Sequence, residues 1–334
     1  MDALDRVAPV VDTLFGVAHA RPGDAGRVGV LGVPFDLGNA VAPGCRAAPG
    51  VIRRASRNAT AGVRDVPGDG PGYPSRAGSG REWLDGPARR VSAWIRDHGD
   101  VVVRPGEDTE TVAQRVAKVC RAMVASGARP LVIGGDHSIS YGVVSGLAAA
   151  GPLIVAWLDA HTDIDQKTLR VGLNHKNAAR RIAALPHVAR VVAVGHRGYT
   201  REDETRCLPG RLVVVTAREL RVRGPSSLLD ALDGIDPRLP VYVSIDIDVV
   251  SPAYAPGTAT PVPGGPGPAE IAAVVEVLSH CRELVGCDLV EINPDHDDGG
   301  RTVRVACELL GRAAGALAIG GQPAAAARSR RGMP

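Results

Sequence analysis

Short apolar runs alternate with amphipathic stretches along most of the chain, and this alternation predicts an α/β fold. Apolar runs of this kind are typical of strands buried on both faces. The predicted strands occupy residues 27–33, 101–103, 130–134, 153–158, 189–194, 211–215, 240–246 and 284–290. Helices are predicted at residues 49–58, 108–126, 139–149, 225–233, 267–281 and 301–317. This order predicts a three-layer α/β/α domain with a central, mostly parallel sheet.

The regions outside this alternation are less regular. Residues 1–26 form a weakly patterned leader in which a short helix is expected at 7–17. Residues 62–86 are rich in Gly and Pro without periodicity, which predicts a long or partly disordered loop, either an active-site lid or a plain surface segment. We therefore expect one catalytic domain at 27–320 and a flexible tail at 321–334.

Composition and charge limit the functional classes. A chain of 334 residues that is 45% hydrophobic can bury a large core. The net charge of +3 gives no reason to expect a nucleic acid or a membrane as partner. We see no N-terminal targeting signal and no apolar run of the roughly 18 residues that a membrane span requires. A cytoplasmic protein that acts on a small molecule is the expectation.

The chemistry of the chain begins where the strand at 153–158 ends. Asp159, His161 and Asp163 follow at every second position. If the extended backbone continues, these three side chains point to the same side. One such motif could simply cap a strand end, but it also has the spacing of a metal site.

Two further predicted strands end in the same type of residue. The strand at 130–134 continues through a second glycine into Asp136 and His137, and the strand at 240–246 ends in Asp246 with Asp248 two residues later. The carboxyl ends of parallel strands share one edge of a sheet, which is where open α/β sheets bind ligands. Buried carboxylates are costly to desolvate unless cations accompany them. Four of these aspartates and both histidines suit a pair of divalent ions such as Mn²⁺: they are Asp159, Asp163, Asp246, Asp248, His137 and His161.

Four sequence blocks resemble the signature blocks of the ureohydrolases, the family of arginase and agmatinase, and they occur in the same order. They are GGDHS at 134–138, DAHTD at 159–163, the segment 244–265 and VEINP at 290–294. The segments 32–38 and 43–56 are similar to the N-terminal pattern of the agmatinase-like branch. The resemblance covers roughly residues 28–314. It implies an arginase-like fold and hydrolysis of a guanidino compound, such as agmatine or a guanidino acid, to an amine and urea.

The resemblance also implies a ligand set for two Mn²⁺ ions per chain. One ion would be held by His137, Asp159, Asp163 and Asp246, and the other by Asp159, His161, Asp246 and Asp248. Two ions roughly 3.5–4 Å apart share one water and lower its pKa toward neutrality, which yields a hydroxide that attacks the guanidinium carbon. Asp163 would also accept a hydrogen bond from this hydroxide and orient it.

Several residues outside the ligand set are candidates for contact with the substrate. Glu291, at the end of the strand at 284–290, suits the planar fork of a guanidinium, although a helix cap or a loop salt bridge is the alternative. His175 lies twelve residues after Asp163, a spacing that some agmatinase-like members share for a proton-shuttle His. The alternative for His175 is a surface histidine in a basic loop. Asp165 and His196 are further candidates for lining the substrate pocket.

Two departures from the family pattern leave other functions open. Ser251 stands where relatives have an aspartate, and Lys176 stands where they have a glycine after the shuttle histidine. A formiminoglutamase-like hydrolase of a formimino or other amidine C–N bond is the alternative within enzymes. A catalytically weak relative with an assembly role is the alternative outside them. The resemblance implies a homo-oligomer, either a trimer or a hexamer.

Overall fold

A single sheet runs through the part of the chain that the structure describes. The computed structural model describes residues 6–21, 26–39, 41–62, 94–197, 208 and 210–319. In this part the strands are β1 (Val7–Ala8), β2 (Val28–Gly32), β3 (Ile95–Val101), β4 (Arg129–Ile133), β5 (Leu153–Leu158), β6 (Val188–His196), β7 (Leu212–Thr216), β8 (Val241–Asp246) and β9 (Leu284–Val290). Their order across the sheet is β1-β3-β2-β4-β9-β8-β5-β6-β7.

The sheet is parallel except at one edge, where β1 pairs antiparallel with β3. Helices cover both of its faces in the described residues, so the predicted three-layer α/β/α architecture is confirmed. The helices are α1 (Ala48–Gly62), α2 (Thr109–Ala125), α3 (Ile139–Gly146), α4 (Ala178–Ala183), α5 (Ala217–Arg223), α6 (Ser227–Ala231), α7 (Pro268–Cys281) and α8 (Arg301–Ile319). No helix of the described residues combines the length and the apolar character needed to cross a membrane.

Alternate residues of the central strands feed two separate cores. On β5, Ile154, Ala156 and Leu158 join the core that includes residues of α1, α7 and α8. Leu153, Val155 and Trp157 point to the opposite face and join the core that includes residues of α2, α3 and α4. Because β5 lies between two helical layers, both of its faces pack against a core and every one of its residues is buried.

The N-terminal helix predicted at 7–17 is wrong. In the structure Val7–Ala8 is a strand and Leu14–Gly16 is one turn of 3₁₀ helix. The main-chain N–H of Leu14 donates to the Oδ2 atom of the buried Asp97 at 2.9 Å. This contact with β3, together with the pairing of β1, holds the segment against the sheet edge in a largely non-helical conformation.

The strand predicted at 101–103 is also misplaced, because β3 is Ile95–Val101. Its residues alternate between buried and partly exposed, and the polar Asp97 is among the buried ones. Arg53 from α1 accounts for this burial, since its Nε and Nη2 atoms each donate to Asp97 at 2.9 Å. A search for apolar runs could not locate this strand, because one of its buried residues is an aspartate whose ion-pair partner is distant in sequence.

Other elements differ in extent or were not predicted. The helix predicted at 225–233 is the shorter α6, and the helix predicted at 139–149 continues past α3 as a 3₁₀ turn at Leu147–Ala150. The short helices α4 and α5 were missed. The tail at 321–334 and nearly all of the loop predicted at 62–86 lie outside the described residues.

The candidate site residues meet at one edge of the sheet. The strands β4, β9, β8 and β5 are successive neighbours, and all four run in the same direction. A candidate site residue lies at or just after the carboxyl end of each strand: His137 follows β4, Glu291 follows β9, Asp246 ends β8 and Asp159 follows β5. The topology thus brings together residues that lie far apart in sequence.

Candidate active site

His137 is the centre of the first group of candidate metal ligands. Its Nδ1 atom lies 3.2 Å from the Oδ2 atoms of both Asp159 and Asp246 and 3.4 Å from Oδ2 of Asp163. This nitrogen is buried and makes no hydrogen bond. His137, Asp159 and Asp246 offer ligand atoms that all lie within 4.8 Å of one another. A cation between them would satisfy both the nitrogen and the carboxylates.

Asp159, His161 and Asp248 form a second group of the same kind. Nδ1 of His161 lies 3.0 Å from Oδ2 of Asp248 and 3.4 Å from Oδ1 of Asp159. Asp159 therefore turns one carboxylate oxygen to each group, because its Oδ2 atom faces His137. This is the arrangement that a ligand shared by two ions requires.

Asp246 has a less symmetrical position. Its Oδ2 atom belongs to the first group, whereas its Oδ1 atom accepts a hydrogen bond from the main-chain N–H of Asp248 at 2.8 Å. That hydrogen bond caps the 3₁₀ turn Ile247–Val249, which follows β8. The bridging role that the resemblance implies for Asp246 stays a prediction.

The electrostatics of the cluster indicate a need for positive charge. Burial, together with the charge of Asp159, raises the pKa of Asp163 to about 7. Burial and the neighbouring Asp248 and Asp159 raise the pKa of Asp246 well above its usual value. Burial would lower the pKa of His161, but Asp159 and Asp248 outweigh it and raise that pKa to about 12. Divalent cations would remove this repulsion, and the oxygen and imidazole donors suit them.

The far side of the His137 ring is fixed by residues that the sequence analysis missed. Its Nε2 atom lies 2.9 Å from the hydroxyl oxygen of Ser244, and this hydroxyl donates to Oδ1 of Asp288 at 2.6 Å. The hydroxyl proton is thus used, so Ser244 accepts from an Nε2–H of His137 and leaves the Nδ1 lone pair facing the carboxylates. Tyr242 donates to the other oxygen of Asp288. Polar residues inside the otherwise apolar β8 and β9 were the signal for this network.

Trp157 holds the same ring from one face. The indole stacks on His137 with 3.7 Å between ring centroids and an interplanar angle of 7°. Its Nε1 atom also donates to Oδ2 of Asp159 at 2.9 Å. Trp157 lies on β5, two residues before Asp159. Its side chain therefore orients both Asp159, which follows β5, and His137, which follows β4.

Glu291 lies beside the first group in a strained conformation. Its φ is +62°, a left-handed value that is unusual for a residue other than glycine. Oε1 accepts from the main-chain N–H of His137 at 2.8 Å, and Oε2 accepts from Nδ2 of Asn39 at 2.9 Å. Burial, followed by the charge of Asp136, raises the pKa of Glu291 to about 8. A carboxylate in this state has a strong demand for a cationic partner.

The crossing of the loops after β2 and β4 depends on Gly135. A Cβ atom at this position would lie 1.8 Å from the carbonyl oxygen of Phe35. That close approach brings Asn39, which follows Phe35, within reach of Glu291. Asn39 was missed because its partner is 252 residues away in sequence.

His175 is held beside this crossing. Its main-chain N–H donates to the carbonyl oxygen of Gly38 at 3.3 Å, and its Nδ1 atom contacts the same oxygen. With the proton on Nδ1, the Nε2 atom is left as an acceptor, and it is buried without a hydrogen-bond partner. Burial lowers the pKa of His175, and the charge of Lys176 adds to this. His175 is therefore not the freely exposed residue of the alternative interpretation.

The remaining sequence candidates differ in where they lie. His196 ends β6, and its Nδ1 atom contacts the carbonyl oxygen of Ala160 at 3.0 Å, next to the second group. Asp165 uses its Oδ1 atom to accept from the main-chain N–H of Lys167 at 2.7 Å, so its carboxylate stabilises the loop itself. Ser251 begins a second turn, after Ile247–Val249, in which its main-chain carbonyl accepts from the N–H groups of Tyr254 and Ala255.

Comparisons with known proteins show which family the chain belongs to. The model of the arginase family matches residues 26–315. The mitochondrial agmatinase of Gallus gallus is 33% identical over 293 residues, which cover 84% of this chain and 78% of that protein. The mitochondrial guanidino acid hydrolase of Homo sapiens is 32% identical over 294 residues, which cover 84% and 75% of the two chains.

A solved structure has the same architecture. Proclavaminate amidinohydrolase from Streptomyces clavuligerus superposes with a TM-score of 0.73 at 30% identity, and the match covers 94% of this chain and 98% of that one. The family match spans nearly all of the described sheet, including every residue of both candidate metal groups. The chain belongs to the arginase family and is a hydrolase of amidine or guanidino C–N bonds.

Proposed function

We propose that this protein is a ureohydrolase that binds two Mn²⁺ ions and cleaves a guanidino compound to an amine and urea. The observation that carries the proposal is the position of Asp159, whose two carboxylate oxygens face two separate groups of metal-binding side chains. His137, Asp163 and Asp246 would complete one ion site, and His161 and Asp248 the other. When bound, two such ions lower the pKa of a shared water toward neutrality.

The residues around this site can bind and orient a guanidinium. Each oxygen of Glu291 already accepts one hydrogen bond and retains a lone pair for a further donor. A planar guanidinium offers paired N–H groups that match a carboxylate. Because Asn39 and the main chain of His137 fix Glu291 from two sides, the substrate would be held in one orientation. The loss of solvent strengthens this ion pair, since Glu291 is buried.

His175 would move the proton that the departing amine needs. Its lowered pKa keeps the imidazole neutral at physiological pH, so its Nε2 atom can accept a proton and then donate it. The carbonyl of Gly38 fixes the ring through Nδ1 during this exchange.

The loop between Asp163 and His175 supports a substrate with an anionic tail. It begins at a candidate metal ligand and returns to the substrate side of the site through the contact with Gly38. Between Asp163 and Lys176 the loop carries three exposed cationic side chains and one carboxylate. The cations are Lys167, Arg170 and Lys176, and the carboxylate is Asp165. A guanidino acid would be attracted to this loop, whereas the ammonium tail of agmatine would be repelled.

The oligomeric state rests on the resemblance alone, whereas the location and the partners rest on composition, charge and the lack of a recognisable targeting signal. A trimer or hexamer in the cytoplasm, without nucleic acid or membrane as partner, stays a prediction of the sequence.

The first prediction tests the reaction. The Mn²⁺-loaded protein is expected to release urea and an amine in equal amounts from at least one guanidino compound in a panel. Asp246→Asn should abolish this release, because it removes a charged ligand candidate without changing the size of the side chain. The exposed Asp230→Asn is the matched control and should behave as the wild type. Formamide released from a formimino compound, with no urea from the panel, would support the formiminoglutamase-like alternative. Full metal loading without turnover on any compound would support a catalytically weak relative.

A second prediction concerns the proton transfer. In His175→Asn the amide N–H can replace the donor at Nδ1, but nothing replaces Nε2, so kcat should fall by about 10²- to 10⁴-fold, the range for a positioned general acid. Metal content should not change. The comparison variant is His196→Asn. If His175→Asn kept the wild-type kcat between pH 7 and 9 and His196→Asn lost it, His196 would be the proton carrier.

A third prediction concerns the substrate tail. At low salt, kcat/KM should be higher for 4-guanidinobutyrate than for agmatine, and added salt should reduce the difference. Lys176→Glu should shift the ratio toward agmatine by about fivefold or more, since one charge pair at about 4 Å in water contributes about 1 kcal/mol. The exposed Lys118→Glu on α2 is the control and should leave the ratio unchanged. A salt-independent preference for agmatine would contradict the assignment of tail charge.

A further inference from the structure

Arg197 connects the end of β6 to the segment that follows β8. Its guanidinium, including the Nε–H group, donates to main-chain carbonyl oxygens at both ends of the segment, at residues 248–249 and at 262–263. The acceptors are Asp248 at 2.7 Å, Val249 at 3.0 Å, Val262 at 2.8 Å and Pro263 at 3.2 Å, together with Gly195 of β6 at 3.1 Å. One side chain therefore closes the base of the loop 250–262.

The acceptors near Asp248 need such a donor. Ile247–Val249 is a single buried turn of 3₁₀ helix, and the carbonyl groups at the end of a helical turn have no partner within it. Arginine offers five N–H donors in a rigid planar fork, so it can satisfy several of these carbonyls at once. A lysine ammonium would reach fewer of them from one point.

The space around the guanidinium is closely filled. A Cβ atom at Gly265 would lie 2.5 Å from Nη2 of Arg197 and 2.7 Å from the carbonyl oxygen of Val249. Glycine is therefore the residue that fits where this segment passes the guanidinium. The contact fixes the position of Arg197 as well as that of the chain around it.

Asp248 depends on this segment for its orientation. Its Oδ1 atom accepts from the main-chain N–H of Ala160 at 3.0 Å, and its Oδ2 atom lies 3.3 Å from the hydroxyl of Thr260. Thr260 belongs to the loop whose base Arg197 closes. A shift of either the turn or the loop would move the Oδ2 atom away from His161.

We propose that Arg197 is a positioning residue for the ion site formed by Asp159, His161 and Asp248. It acts through the main chain of Asp248 and through the loop that carries Thr260, and it does not itself contact the ion. The proposal rests on the metal pair of the proposed function. It predicts that loss of the guanidinium weakens this ion site more than the site around His137, whose ligands come from β4, β5 and β8.

The test is a titration of the metal-free protein with Mn²⁺, in which electron paramagnetic resonance measures the concentration of unbound Mn²⁺. The wild type should bind two ions. In Arg197→Met one ion should bind as in the wild type and the other about 10- to 100-fold more weakly, the range for loss of an outer contact to a ligand. Arg197→Lys should lie between the two. Arg221 donates to the carbonyl oxygen of Gly264 in the same segment but at its exposed side, so Arg221→Met is the matched control and should bind as the wild type.

Thermal unfolding of the metal-free variants, compared with the affinities of the two ion sites, separates positioning from a general structural role. Arg197→Met should lower the metal-free Tm, because it leaves main-chain carbonyl groups without a donor, but its loss of metal affinity should be confined to one site. Two ions bound at wild-type affinity in Arg197→Met would overturn the proposal. Equal weakening of both sites, together with a lowered Tm in Arg197→Met and Arg197→Lys, would also overturn it. A wild type that binds fewer than two ions would refute the proposed metal pair itself, and the role of Arg197 with it.

Discussion

Repulsion among buried carboxylates at one edge of the sheet is the constraint on which the site depends. Asp159, Asp246 and Asp248 are almost fully buried, and Asp163 lies beside them. Charges in such a place cost several kcal/mol each unless opposite charges are close. The two histidines offset part of this charge only when they are protonated, and a protonated imidazole cannot bind a metal. The two divalent cations of the proposed function would remove this conflict.

Several features of the fold hold the candidate ligands in place. Asp288 and Ser244 set the tautomer of His137, and Trp157 fixes its ring plane. Asp163 and Glu291 have left-handed backbone conformations, with φ values of +50° and +62°. Such values persist only where surrounding contacts impose them, so these two residues are also held firmly. In our proposal Arg197 performs the same task for Asp248 from the opposite side of the site. The geometry of the site therefore depends in part on residues, such as Asp288, Ser244 and Trp157, for which no contact with the substrate is proposed.

The sequence predicted the parts of this structure that follow from local periodicity. The apolar runs predicted the central strands to within one or two residues. The alternation along 159–163 singled out three ligand candidates, but the extended backbone assumed for them ends with β5: the chain bends at Ala160 and His161 and is left-handed at Asp163. Prediction from the sequence failed where a distant partner decides the outcome. The strand β3 was misplaced because Arg53 makes the burial of Asp97 possible, and the N-terminal helix was wrong because sheet edge contacts replace it. Asn39, Ser244, Asp288 and Arg197 were not singled out, since their contacts join segments that only the fold brings together.

The most direct test of the account is anomalous X-ray diffraction from crystals grown with Mn²⁺. We predict two anomalous peaks roughly 3.5–4 Å apart, the separation typical of two-metal sites, with a carboxylate oxygen of Asp159 facing each peak. One peak should lie beside Nδ1 of His137 and the other beside Nδ1 of His161. A single peak, or two peaks of which neither contacts Asp159, would contradict the central claim.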